Sequence, residues 1–353
     1  MNLRPNIVPY NIPMPNNMGV VRYFMAFSVL IAHFNHLDNG SIYWPLSSYN
    51  AVGGFFAISG FLMAGSYLRK PDWKTYLIGR CRRILPPYWA TVVLFAILLG
   101  FCSASPDYFL SGQFWKYLIA NLCFVNFVEP ALPGVFDGME VTAVNGSLWT
   151  MKVEWMLYLS MPFASYFLVR WRRHPIRVVA VIYISSMIYR AIFTGLYHHT
   201  GAEIYNILSR QFMGQLMFFY SGVLVYYYFD LFMRWRWWIL PIGLALTFGL
   251  SNYELFVLTL KPLVISLLTL WFCMVGKWGT WEGRRDNISY NIYLVHYPVC
   301  QLAAYYLLPQ QIGMWWSFAA VCAATISLSW LINIFVEKPF RAKRPSPSRP
   351  SRS

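Results

Sequence analysis

The chain has 353 residues, 58% of them hydrophobic, 19% aromatic and only 12% charged. A soluble domain carries about 25% charged residues, so half that complement excludes a water-soluble globule, and the high hydrophobicity excludes disorder. The charge is nevertheless lopsided, with 28 Lys and Arg against 13 Asp and Glu for a net charge of +15. An oily chain with excess basic charge fits a polytopic membrane protein with basic cytoplasmic loops.

Apolar runs near twenty residues occur at 18–36, 51–68, 85–102, 148–169, 177–194, 208–232, 237–252, 256–276, 287–307 and 313–336. The short connections between them predict antiparallel neighbours in one all-α bundle of about ten transmembrane helices. No signal peptide is expected, because Pro5, Pro9, Pro13 and Pro15 stand where its apolar region would be. With ten spans, 22 of the 28 basic residues fall on one set of alternate connections. Among them are Arg69 to Arg83, Arg170 to Arg177, Lys277 to Arg285 and the tail. Lys116, Arg190, Arg210 and Lys261 fall on the other set, while Arg22 and Lys152 lie inside spans. The asymmetry places both termini in the cytoplasm and the chain, multi-pass, in the inner (cytoplasmic) membrane. Between the third and fourth spans, 103–147 faces outward, and Phe114 to Phe127 reads as an interfacial or re-entrant helix. The six cysteines lack paired spacing and read as small core hydrophobes, so no metal or disulfide is expected.

Ionisable groups inside a bilayer cost about 2.5–3.5 kcal/mol each and mark function by default. Arg22 and His33 are eleven residues apart, close to a whole number of helical turns, so they share a face about 16 Å apart. A snorkelling arginine and an end-capping histidine would read the same way. Glu154 falls at a depth comparable to His33, where it would orient the imidazole, or pair with neighbouring Lys152. His296 stands between Tyr293 and Tyr297 beside Pro298. On the inner side Arg80, Arg82 and Arg83 suit bidentate capture of phosphate, or serve as a positive-inside anchor. Phosphate capture inside and an imidazole–carboxylate pair outside suit group transfer across a membrane, although a transporter is also allowed.

Several blocks resemble the membrane-bound acyltransferase-3 family, whose members O-acylate cell-envelope and secreted saccharides. Arg22, ten residues and His33 resemble its opening; Phe55-Phe56-Ala-Ile-Ser59-Gly60-Phe61-Leu62 resembles its second block, and Arg80 to Arg83 its paired-arginine loop. Leu148 to Glu154, Ile288 to Pro298 (with Tyr293 and His296) and Glu337-Lys338-Pro339-Phe340-Arg341 are similar to the later blocks. The resemblance implies a ten-helix acyltransferase domain over 1–337, with 338–353 a basic Pro/Ser-rich cytoplasmic tail suited to anionic lipids.

It further implies an O-acetyltransferase with no permanently bound cofactor. Acetyl-CoA is the implied donor and a saccharide or glycolipid hydroxyl the acceptor, with membrane lipids but no nucleic acid as partners. His33 becomes the leading catalytic residue, as general base or acyl carrier, with Glu154 supporting it; Arg22, Arg80 and Arg83 serve the CoA. The rival is a transporter or flippase of a lipid-linked sugar. The chain departs from the family at Ala51-Val52-Gly53, where a carboxylate is usual, at Lys152, where a serine is usual, and at Trp155, where a second glutamate is. No appended esterase domain is expected after Glu337.

Overall fold

The computed structural model describes residues 16–38, 40–170, 175–279 and 287–340. Arg4, the N-terminal prolines, Arg172, Arg173, Arg284, Arg285 and the tail beyond Phe340 lie outside the described residues. Among the described residues the regular structure is all helical, without strands. The helices run α1 (Met18–Leu37), α2 (Ser48–Arg69), α3 (Trp73–Leu98), α4 (Gly112–Leu122), α5 (Trp149–Arg170), α6 (Pro175–Thr200), α7 (Glu203–Ser209) and α8 (Phe212–Tyr227). They continue as α9 (Phe229–Arg234), α10 (Arg236–Gly249), α11 (Glu254–Thr259), α12 (Lys261–Met274), α13 (Ser289–Tyr305), α14 (Leu308–Ile312), α15 (Met314–Ile332) and, after a π-helical turn at Asn333–Glu337, α16 (Lys338–Phe340).

A helix lies in each of the ten expected segments, but only five stretches among the described residues are long and apolar enough to cross a membrane by length and composition. These are Met18–Leu37, Ser48–Arg69, Trp73–Cys102, Pro175–Thr200 and Met314–Phe340. The segment expected at 208–232 breaks at Tyr228, whose backbone (φ −114°, ψ 36°) leaves the helical region between α8 and α9. The one at 256–276 divides at Leu260, where Pro262 opens the second piece. Apolar content measured along the chain does not register such breaks.

Polar anchors fix the elements that carry the site. Asn17 precedes α1 and donates from Nδ2 to the Val275 carbonyl (3.1 Å) while accepting from the Gly279 amide (3.0 Å). It thereby ties the first turns of α1, which carry Arg22, to the end of α12. Ser47 caps α2, and Asp72 caps α3 by accepting from the Thr75 amide at 2.9 Å.

α2 and α8 approach backbone to backbone. A Cβ on Gly60 would stand 1.9 Å from the Phe219 carbonyl oxygen, and one on Gly222 2.0 Å from that of Ala57. Small residues at such crossings let helices pack closely in lipid.

Pro298 has no amide proton, so the Leu294 carbonyl one turn earlier loses its helical donor. The Asn145 side chain replaces it, donating to that carbonyl at 2.8 Å. Gly146 lies against the Tyr297 ring, with room for no side chain (2.6 Å from a Cβ to Cζ). The start of α5 is thereby clamped to the middle of α13. The expected helix within 103–147 forms as α4, whose far end docks midway along α3 through Tyr88 to the Asn121 carbonyl (2.6 Å). All six cysteines are free thiols.

At the end of α1, Asp38 is 5% exposed, and neither carboxylate oxygen has a hydrogen-bond partner among the described residues. Burial pushes its carboxyl up to about 7. An unfolded aspartate ionises at about 3.9, so folding disfavours the anion. The protonated group's contribution is fully present below that lower value and is lost as pH rises to 7. Asp38→Asn is therefore expected to raise the melting temperature in detergent by several degrees at pH 8 and much less at pH 4.5, read by tryptophan fluorescence. An equal shift at both pH values would refute this.

Candidate active site

The described residues line a partly open pocket between α1, α2, α3, α5, α13 and the π-helical turn. Arg22 and Arg83 line its wall with Ser59, Glu154, Tyr158, Tyr293 and Glu337. The spacing of Glu154 and Tyr158, one turn apart, puts both side chains on one face of α5. The Glu154 carboxylate accepts from the Tyr158 hydroxyl and from Ser59 Oγ (3.2 Å). Ser59 is held in turn by the close α2–α8 crossing at its neighbour Gly60. Glu337 is 3% exposed and accepts from Asn291 Nδ2 at 3.0 Å. The π-helical turn, an inserted residue of the kind found at functional sites, is what carries this carboxylate inward from α15. Arg22 and Arg83 form no ion pair within 4.0 Å among the described residues. Two guanidinium groups thus line a largely apolar pocket without an ion-pair partner among the described residues.

Arg80 sits one turn before Arg83 but does not line this pocket; its guanidinium carbon lies 6.0 Å from the Tyr76 ring, and its Nε is buried without a partner among the described residues. The structure brings two of the three expected phosphate-binding arginines together.

His33 and His296 meet where α1 packs on α13. His33 Nδ1 and His296 Nε2 are 2.8 Å apart, with the rings nearly parallel at 5.1 Å between centroids. His296 is fully buried, and its Nδ1 lies 3.2 Å from the Ile292 carbonyl oxygen. Tyr297 sets its ring edge-on to His33 at 4.9 Å. Tyr293 separates this pair from the pocket: it lines the pocket, stands 5.6 Å from the His296 ring, and shares a 2.8 Å hydrogen bond with Thr150.

The expected pairing of His33 with Glu154 is corrected by this geometry. The imidazole's partner is His296, and the carboxylate is engaged by Ser59 and Tyr158 on the pocket wall. A Glu154–Lys152 pair does not form either, since the Lys152 ammonium stands 5.0 Å over the Phe127 ring. Helical depth counted from sequence gave His33 and Glu154 similar heights but no rotation about the bundle axis. Arg190 is also displaced from its expected loop. It is buried within α6, with Cζ 5.4 Å from the Tyr49 ring and Nη1 3.5 Å from Met217 Sδ. Sequence reading missed Tyr158, Thr150 and Tyr290, which also line the pocket; the one-turn spacing from Glu154 could have revealed Tyr158. The Gly53 departure is filled by a neighbour, because a Cβ there would lie 2.4 Å from the Phe218 ring.

The family described as an acyltransferase domain matches residues 16–334. The chain belongs to the acyltransferase-3 family. Among curated relatives, Nodulation protein 10 of Rhizobium leguminosarum bv. viciae is 26% identical, over 94% of each chain. Peptidoglycan O-acetyltransferase OatA of Listeria monocytogenes is 22% identical over 91% of this chain and 55% of its own length. A putative membrane-bound transacylase, BcsY, of Komagataeibacter xylinus is 26% identical over 84% of this chain and 77% of its own. No solved structure gives a significant match. As an acyltransferase-3 protein with O-acetyltransferase relatives, the chain is a membrane O-acyltransferase.

Proposed function

We propose that this acyltransferase moves an acyl group, most simply acetyl, from cytoplasmic acyl-CoA to a hydroxyl of a saccharide or lipid-linked saccharide at the extracytoplasmic side of the inner membrane. The observation that carries the reading is the pair of guanidinium groups, Arg22 and Arg83, without an ion-pair partner among the described residues, on a pocket that shares Tyr293 with the histidine pair. Guanidinium forks suit the phosphates of CoA, and the separation of about 16 Å between Arg22 and His33 along α1 suits a donor whose reactive end is remote from its phosphates. Arg80, one turn before Arg83 on α3, would meet the donor on entry. If all ten segments cross, the basic-residue asymmetry supports both termini in the cytoplasm and gives the transfer its direction.

In this scheme His33 removes the acceptor hydroxyl proton as the oxygen attacks the thioester carbonyl. The carbon–sulfur bond then breaks, and the CoA thiolate takes the proton back from the imidazolium. Alternatively the imidazole accepts the acyl group first and passes it on. Glu154 belongs to the donor side, where it holds Ser59 and Tyr158 and balances the arginines' charge.

Purified protein in nanodiscs supplied with acetyl-CoA should release CoA, and do so faster with an acceptor present. Arg22→Ala and Arg83→Ala are each expected to raise the KM for acetyl-CoA about 10–100-fold, the loss of one charge-assisted hydrogen bond, with kcat changed far less. An unchanged KM in both variants would remove the CoA from this pocket.

A further inference from the structure

We propose that His296 is a positioning residue that fixes which nitrogen of His33 carries the proton, presenting Nε2 of His33 as the bare base. This rests on the reading of His33 as the residue that attacks or deprotonates. A backbone carbonyl fixes the first proton. The Ile292 oxygen, 3.2 Å from His296 Nδ1, can only accept, so that nitrogen bears the hydrogen. A neutral imidazole carries one proton, which leaves His296 Nε2 as an acceptor. The atom 2.8 Å from it, His33 Nδ1, must then be the donor. The single proton of His33 is thereby used, and its Nε2 is left with a free lone pair. That nitrogen has no protein partner among the described residues and is not a buried unpaired atom.

The opposite tautomer of His33 would place the proton on Nε2 and remove the base. It would also set two lone pairs against each other at 2.8 Å. The relay is anchored by α13 itself, which is held at this level by Asn145 and the carbonyl freed by Pro298. A neutral acceptor also suits the location. A carboxylate in contact with His33 would have to be buried as a charge in an apolar interior, whereas an imidazole is buried neutral. When His33 takes up a proton during turnover, the same Nδ1–H bond becomes charge-assisted and stronger, so the contact favours the protonated intermediate over the resting ring.

Protein labelled with 15N-histidine in nanodiscs tests the resting state directly. His33 should show a protonated Nδ1 and an unprotonated Nε2, an assignment made by loss of the signals in His33→Ala. A protonated Nε2 in the wild-type protein would overturn the proposal. His296→Leu removes the acceptor and is expected to lower kcat on the order of 100-fold, within the range of general-base effects, with KM for acetyl-CoA within about twofold. His296→Gln offers a side-chain carbonyl to the same donor and is expected to recover most of the loss. Equal kcat in His296→Leu and the wild type would defeat the proposal, as would a Gln variant no better than Leu. If His33→Ala itself keeps full activity, the underlying reading of His33 fails instead.

Discussion

Replacing His33 by alanine is expected to lower kcat for acyl transfer by about 10²–10⁴-fold, the range of a lost general base, while acetyl-CoA still binds. The two expectations separate because the structure separates the groups. Arg22 and Arg83 line the pocket, and His33 lies beyond Tyr293 with its ring held by His296 and Tyr297. Removing the imidazole leaves the arginines and the Glu154–Tyr158–Ser59 cluster untouched. Isothermal titration with acetyl-CoA should therefore give an affinity within about twofold of wild type, alongside a near-complete loss of turnover. Full activity would sink the assigned chemistry; lost affinity would mean that the pocket and the histidine pair form one continuous donor site.

A second large effect is structural. Gly60→Ala is expected to destabilise the protein by more than the ~1–3 kcal/mol of an ordinary overpacked core. The added carbon would meet the Phe219 carbonyl at 1.9 Å, and a backbone oxygen cannot swing aside as a side chain can. The helices would have to separate, and Ser59, the residue that donates to Glu154, would move with them. Gly79→Ala is the matched control. Gly79 lies inside α3, and a Cβ added there would find nothing within 4 Å, so the same substitution should be neutral or stabilising by about 0.5–1 kcal/mol. Size-exclusion profiles and melting temperatures in detergent distinguish the two, and equal behaviour would remove the α2–α8 crossing as a stability determinant.

Much of this was legible along the chain. Apolar segments placed a helix in every expected stretch, because length and hydropathy are local properties. The eleven-residue spacing put Arg22 and His33 on one helix, and both now bear on the site. What could not be read was azimuth. His33 and Glu154 share a depth, yet α1 turns its histidine toward α13 while α5 turns its glutamate toward Ser59 of α2. Such choices depend on which helices touch, and that is decided between residues far apart in the chain. The same holds for Arg190, whose burial under Tyr49 is a tertiary event. The break at Tyr228 escaped for the opposite reason: it is local in backbone angle but leaves the apolar pattern continuous, as does the division at Leu260.

The clamp between Asn145 and α13 has a bearing on biogenesis. A carbonyl stripped of its helical donor by Pro298 has no water to turn to in the buried interior, where an unsatisfied polar group costs about 1–3 kcal/mol. Its replacement donor comes from a segment synthesised 149 residues earlier. Helix α13 is thus completed by a part of the chain that is already in place, and His296 reaches its final position only with that docking. The order of synthesis and the assembly of the histidine pair are coupled, so a chain that inserts its helices but fails to dock them carries an exposed polar mark of its own incompleteness.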